Sequence, residues 1–318
     1  MGVILSGDAL LTLKTLPPEY AHTCVTSPPY YGLRDYGVKG QLGLEKTVDE
    51  YIENLVEVFR EVWRVLRPDG TLWLNIGDSY ATRSGPQAPT NTRNSNGHTE
   101  KRVPAGYKYK DLIGIPWALA FALRADGWHL RDDIIWHKTN AMPEAVTDRP
   151  TRAHEYIFLL SKEPRYYYDA DAIAEPCGKK GNARSFRGGW AYTGHTSFDN
   201  DAESDRETHG NAENERGTRN KRDVWSVATA QFKEAHYATF PPELIRPCIL
   251  AGCPVGGMVI DPFFGSGTTG EVALQEERDF TGIELNPEYI AIAERRIKAT
   301  EEKGIQLKMW NCRAAQTT

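Results

Sequence analysis

The stretch that most constrains the fold is Met258-Val259-Ile260 running into Asp261-Pro262-Phe263-Phe264-Gly265-Ser266-Gly267-Thr268-Thr269-Gly270. A short apolar strand feeds a glycine loop, the loop opens a helix reaching about Gln275, and a second strand follows from Phe280 to Glu284. Glycine lets a backbone turn tightly and approach a ligand, and the opening helix presents unpaired N–H groups to it. A unit of this kind belongs at the carboxyl edge of an open α/β sheet.

The rest of the chain supplies the other layers of such a sheet. Short strands are expected at Val3–Leu5, His22–Val25, Thr71–Ile76, Asp132–His137 and Tyr156–Ser161, and helices at Ala9–Leu16, Ile115–Asp126, Pro242–Ala251 and Pro287 to about Glu302. Between Val48 and Leu66 the apolar positions Val48, Ile52, Leu55, Val56, Phe59, Val62, Trp63 and Leu66 recur every three or four residues, the spacing of a helix laid on a sheet. Strands alternating with helices predict an α/β fold, a doubly wound and mostly parallel sheet. No internal repeat is visible.

Two stretches break the pattern. Residues 80–110 are rich in Ser, Asn, Thr, Gly and Pro and carry Arg83, Arg93, Lys101, Arg102 and Lys108 against the single acid Glu100, as a basic surface loop would. Residues 176–222 are again polar and glycine-rich. The organisation expected is a catalytic part, 1–175, an insertion, 176–222, and a cofactor-binding part of the same domain, 223–318.

At 318 residues and 40% hydrophobic composition the chain can bury a full core. Its net charge of -5 excludes a uniformly basic coat, so nucleic-acid contact would have to come from locally basic segments. Five cysteines, an odd number without close CxxC pairs, read as free thiols in a reducing compartment. With neither a basic leader nor about 20 consecutive apolar residues, a soluble cytoplasmic protein without a membrane span is expected. His154-Glu155 lacks a second histidine at helical spacing, so no metal is expected there.

Gly265, Gly267 and Gly270 satisfy GxGxxG, and Glu284 stands at the end of the next strand, where a carboxylate accepts ribose hydroxyls. That pattern alone does not separate a nicotinamide cofactor from S-adenosylmethionine. Thr26-Ser27-Pro28-Pro29-Tyr30 occupies the end of another strand. Its two prolines fix φ and remove two donors, leaving acceptors toward a ligand. An exocyclic amino group on a base is a poor nucleophile, its lone pair being delocalised into the ring, and acceptors such as the Ser27 hydroxyl and the Pro28 carbonyl would draw on its N–H bonds. Tyr30 would stack on a base taken out of the duplex.

With these two loops the chain resembles the amino-methylating DNA methyltransferases over nearly its whole length. Ser27-Pro28-Pro29-Tyr30 matches their [DNS]-P-P-[YFW], and Asp261 to Thr268 matches D-P-F-x-G-S-G-T with Phe264 at the variable position. The catalytic loop comes first, which is the β arrangement.

The resemblance implies a Rossmann-like S-adenosylmethionine-dependent methyltransferase fold with an inserted target-recognition region. It implies catalytic roles for Ser27, Pro28, Pro29 and Tyr30. It puts Asp261, Pro262, Phe263, Gly265, Gly267, Thr268 and Thr269 around the donor, Glu284 on its ribose and Asp8 on its adenine amino group. It has His236 through Pro241, Phe240 included, close over the methionine end. Arg64 to Gly70, a hairpin from Ile135-Trp136-His137-Lys138 to Met142-Pro143-Glu144, and His154-Glu155-Tyr156 also resemble family stretches and are read as structural. Serine in the first catalytic position goes mostly with cytosine N4, aspartate or asparagine with adenine N6, so Ser27 tilts the reading to cytosine.

The implied substrate is double-stranded DNA in a prokaryotic or phage setting, with a homodimer and a cognate restriction enzyme compatible with that reading. Lys179, Lys180, Arg184 and Arg187 interleave with aromatics up to Trp190, as a surface following phosphates would, although the acidic run from Asp199 to Glu215 also fits a solvated insertion. The basic loop with Arg83, Arg93, Lys101 and Arg102 is a second candidate for DNA contact. Adenine N6 methylation is the near alternative. A nicotinamide-dependent dehydrogenase, which leaves the proline loop without work, and an inactive DNA-binding module are the remote ones.

Overall fold

A computed structural model describes residues 2–33, 35–81, 103–176, 218–229 and 240–315. The chain divides into two compact units, Met1–Asp169 with Asp223–Thr318, and Ala170–Arg222.

In the larger unit the elements run β1 (Gly2–Ser6), α1 (Ala9–Leu13), β2 (Ala21–Thr26), α2 (Val48–Val65), β3 (Leu66–Ile76), α3 (Ile115–Ala125), β4 (His129–His137) and β5 (His154–Ser161). The smaller unit contributes β6 (Glu175–Pro176) and β7 (Thr218–Arg219), an antiparallel pair beside which Glu175 meets Arg219 at 3.4 Å and Arg222 at 3.0 Å. The larger unit resumes with β8 (Val224–Ser226), α4 (Pro242–Gly252), β9 (Met258–Asp261), α5 (Thr268–Gln275), β10 (Asp279–Glu284) and α6 (Pro287–Ala315).

Eight strands form one sheet in the order β1-β10-β9-β2-β3-β5-β4-β8. Every neighbouring pair is parallel except those of β5, which runs against both β3 and β4. From β9 the chain moves outward to β10, and from β2 it moves outward to β3 on the other side. Strand order therefore reverses between β9 and β2, and the gap beyond their carboxyl ends is where such sheets bind ligands.

Alternation along the strands sorts the helices. Leu72, Leu74 and Ile76 enter the core shared with Leu55, Phe59 and Val62 of α2 and Leu119 of α3. Trp73 points to the opposite face, where a Cβ on Gly252 of α4 would come within 2.7 Å of its ring nitrogen. Helix α2 starts where Thr47 accepts the Glu50 N–H at 3.1 Å and buries a face at Leu55, Phe59 and Val62, the i, i+4, i+7 spacing foreseen.

The doubly wound, mostly parallel sheet agrees with expectation, with four differences. The helix beginning at Ala9 ends at Leu13, three residues early. The strand expected from Thr71 starts at Leu66, directly after α2, and its register against β2 shifts between Leu66 and Thr71. The hairpin after Lys138 does not return at Met142-Pro143-Glu144. The returning strand is β5, with Trp136 opposite Glu155 and His137 opposite His154. Strand β8, too short to show a period, pairs with the outer edge of β4. Among the described residues no helix is long and apolar enough to cross a membrane.

Candidate active site

Glycine geometry builds the first wall of the site. Gly265 and Gly267 take φ of +52° and +86°, a left-handed region that favours glycine, so the loop after β9 folds back and α5 begins at once. Phe264 is turned inward and stacks on Phe280, ring centroids 5.3 Å apart. Two more glycines make room for it: a Cβ on Gly282 would lie 2.3 Å from Phe264 Cγ, and one on Gly270 2.7 Å from Cζ. Arg296 of α6 fastens the outside of the loop, donating to the Ser266 carbonyl at 2.7 Å and to Thr268 Oγ1 at 3.1 Å.

Asp261, at the end of β9, joins this loop to the next. It is 1% exposed, and its carboxylate accepts from Thr26 Oγ1 at 2.6 Å, Thr269 Oγ1 at 2.6 Å and the Phe263 N–H at 3.0 Å. Burial pushes its carboxyl up to about 6, against the lowering effect of those three donors. Glu284, at the end of β10, accepts from the Gly265 N–H at 2.7 Å and the Asn286 N–H at 2.8 Å, and burial raises its carboxyl too.

The second wall is Ser27-Pro28-Pro29-Tyr30, leaving β2. Here side chains from other elements hold the backbone. Tyr51 of α2 donates to the Pro29 carbonyl at 2.8 Å. The Tyr30 hydroxyl donates to Glu155 Oε2 of β5 at 2.8 Å and lies 3.3 Å from Asn75 Oδ1 of β3, and Ser27 Oγ donates to it at 3.5 Å. Lys138, just beyond β4, pairs with the other oxygen of Glu155 and sits over the Trp136 ring, 4.6 Å from its centroid. Burial, then the Glu155 charge, hold the Tyr30 phenol well above its ordinary value, so it stays protonated.

Between the walls lies a cavity of about 420 Å³. It is lined by Ser27, Pro28, Pro29 and Tyr30 with Asn75, Trp136, Lys138 and Glu155, by Pro262, Phe263, Gly265 and Thr268 of the glycine loop with Asp8 and Glu284, and by Phe240. Asp8 also caps α1 by accepting the Leu11 N–H at 2.9 Å.

The two loops expected to work together are thus joined in one cavity, with three differences in detail. Asp261, Gly267 and Thr269, expected around the donor, are not on the cavity wall. Asp261 and Thr269 are buried beneath the loop and bonded to one another, and a Cβ on Gly267 would face Ala293 of α6 at 2.9 Å. Pro241 caps the start of α4 and is likewise absent from the wall, although Phe240 is on it. Ile135 to Lys138 and His154 to Tyr156, read as structural, put Trp136, Lys138 and Glu155 on the wall. Their resemblance to family stretches was the signal available, but nothing in the sequence tied them to Tyr30. His236, Lys179, Lys180, Arg184, Arg187, Trp190, Arg83, Arg93, Lys101 and Arg102 lie outside the described residues.

Comparison with known proteins follows the same lines. A family model described as DNA methylase, of the N6/N4 type, matches residues 21–295. The chain is 46% identical over 306 residues to the type II methyltransferase M.Cfr9I of Citrobacter freundii, covering 96% of this chain and 90% of that protein. It is 46% identical over 296 residues to M.SmaI of Serratia marcescens, covering 92% and 90%. Among solved structures, the PvuII DNA methyltransferase, cytosine-N4-specific by its description, shares the fold with a TM-score of 0.62 at 20% identity, covering 93% of this chain and 86% of that one. The two loops, their order along the chain and the extent of these matches lead to one statement of kinship: the chain belongs to the N6/N4 DNA methylase family.

Proposed function

We propose that this DNA methylase transfers a methyl group from S-adenosylmethionine to the exocyclic N4 amino group of a cytosine extruded from duplex DNA. The observation that carries the reading is Ser27, a neutral hydroxyl at the carboxyl end of β2, on the wall of the same cavity as the glycine loop.

The cavity suits such a donor. Its roughly 420 Å³ lies within the ~300–1,000 Å³ usual for small-molecule sites. Glu284 keeps lone pairs for ribose hydroxyls beside the two N–H groups it already accepts, and Asp8 supplies an acceptor for an adenine amino group. Phe263, Ile283 and Leu285 give the apolar surface a purine ring needs, with Pro262, Gly265 and Thr268 facing the rest of the molecule. Asp261 and Thr269 act from below, by fixing the loop.

When bound, the donor supplies a methyl on a sulfonium centre: a nitrogen–carbon bond forms as the carbon–sulfur bond breaks, and sulfur keeps the pair. The protein's own part is orientation and polarisation. Ser27 Oγ accepts one N–H of the target amine and the Pro28 carbonyl the other, drawing the nitrogen lone pair out of conjugation toward the methyl. Tyr30 offers the base a face to stack on, and the methylated nitrogen releases its extra proton to solvent.

The test is nucleoside analysis by mass spectrometry of DNA from cells expressing the protein, beside DNA from cells that do not. N4-methylcytosine is expected as the added nucleoside. N6-methyladenine in its place would overturn the cytosine reading and leave methyl transfer standing.

A further inference from the structure

A serine hydroxyl is an ambiguous acceptor, since it carries a proton that can point at the group it is meant to receive from. An aspartate or the carbonyl of an asparagine has no such proton. If Ser27 is to draw on an amino group, its own hydrogen has to be engaged elsewhere, and the structure contains the partner.

Ser27 Oγ donates to Tyr30 Oη at 3.5 Å, the long link in an otherwise close chain, and catalytic hydrogen bonds commonly tighten only once substrate is bound. The Tyr30 proton is committed to Glu155 Oε2 at 2.8 Å, so the lone pairs of its oxygen are free to face Ser27. Asn75 favours the same direction: its amide nitrogen donates to the Tyr156 carbonyl at 3.0 Å, which turns Oδ1, an acceptor, toward the tyrosine hydroxyl. The far oxygen of Glu155 is taken by Lys138, which rests on Trp136. Gly77 leaves space for the arrangement, since a Cβ there would fall 2.6 Å from the Tyr30 ring. Ser27, Tyr30, Asn75 and Glu155 come from the ends of the three neighbouring strands β2, β3 and β5, and all four line the cavity.

We infer that Glu155 is a positioning residue for methyl transfer: acting through Tyr30, and held in place by Lys138, it turns the Ser27 proton away from the target base and leaves Ser27 a pure acceptor. This rests on the reading of Ser27 as the acceptor of the target amine. Reversing the relay would leave the cavity intact and aim a proton at the amino group. The role therefore concerns the rate of the chemical step and not the binding of either substrate.

The test is a double-mutant cycle of Tyr30→Phe and Glu155→Gln, read as the single-turnover rate of labelled methyl transfer to DNA, with donor and DNA affinities titrated separately. Each single variant is expected to slow transfer about tenfold or more while both affinities stay within about twofold of wild type. The double variant is expected to be no slower than Tyr30→Phe alone, because Glu155 works only through that hydroxyl. A wild-type rate for Glu155→Gln, or losses that multiply in the double variant, would overturn the inference.

Should Glu155→Gln lose donor binding, and so its fold, Lys138→Gln frees the carboxylate from its cation and reads the same relay. It is expected to slow transfer severalfold, with no further loss in the Tyr30→Phe background, and a wild-type rate or an added loss again overturns the role. Nucleoside analysis of the wild-type product runs alongside. N6-methyladenine there would count against the cytosine reading alone, since the cycle measures the relay whichever base is marked.

Discussion

The two loops that form the cavity leave adjacent parallel strands, yet they are held in opposite ways. The loop after β9 is shaped largely by its own main chain, with glycines at positive φ, a phenylalanine seated where Gly270 and Gly282 clear space, and two carboxylates, Asp261 and Glu284, that accept its N–H groups. The loop after β2 is held from without. Its prolines set the backbone, but its carbonyl and hydroxyl groups meet Tyr51, Asn75 and Glu155 from three other elements. On the proposed reading, a donor pocket shaped by main chain suits a ligand that never varies, whereas side chains reaching in from outside let the proposed acceptor hydroxyl be tuned one residue at a time.

That contrast breaks first at Ser27. Ser27→Ala removes the proposed acceptor and touches nothing in the glycine loop, so turnover is expected to fall on the order of a hundredfold or more, as when one pre-aimed polar group is deleted from an active site. Calorimetric titration of S-adenosylmethionine is expected to give near wild-type affinity for the same variant. Loss of donor binding together with turnover would mean the two walls are not independent.

The same contrast explains what could be read without the structure. The glycine loop was legible because its determinants are local: Asp261, Gly265, Gly267 and Gly270 lie within ten residues, and Glu284 follows one helix later. Even so, the spacing did not say which way each group faces, and Asp261 turned out to be bonded to Thr26, a residue 235 positions earlier. The proline loop was legible as a motif but its supports were not. Tyr30 and Glu155 are 125 residues apart, brought together only because β5 enters the sheet in reverse beside β3. No local period encodes that reversal, nor the three-residue strand β8. Trp136, Lys138 and Glu155, which reach the cavity only through strand pairing, were thus the ones sequence reasoning assigned to structure.

A smaller effect is expected where the glycine loop is attacked through its packing. Gly282→Ala places a methyl 2.3 Å from Phe264 Cγ, inside the sheet and far from any flexible end. Overpacking of this kind costs about 1–3 kcal/mol. The expected outcome is a lower melting temperature with weakened donor affinity, because Phe264 has to move and the loop moves with it. Single-turnover rate at saturating donor is expected to change far less than the affinity. Equal losses in both would show that the catalytic wall leans on this packing as well.

The smallest effect tests the joint between the loops, and it is a matter of pH. Asp261 is raised to about 6 by burial, above the ~3.9 of an unfolded aspartate, so the folded state holds its proton more tightly. For a raised carboxyl the contribution to stability is fully present below the unfolded value and is lost as pH rises through the folded one. Acidification from pH 7 to pH 5 should therefore favour the wild-type fold by about 1.4 kcal/mol relative to Asp261→Asn, one pKa unit's worth, since the amide cannot titrate. Thr26 and Thr269 can turn their hydroxyls to suit either side chain, so the variant is expected to fold. Denaturant titrations of the two proteins at pH 5 and pH 7 measure the difference directly. A gap that stays constant between the two would mean that the three donors around Asp261 outweigh its burial and keep its carboxyl near the ordinary value. The joint would then hold the two loops together through a charge, not through a group poised to lose one.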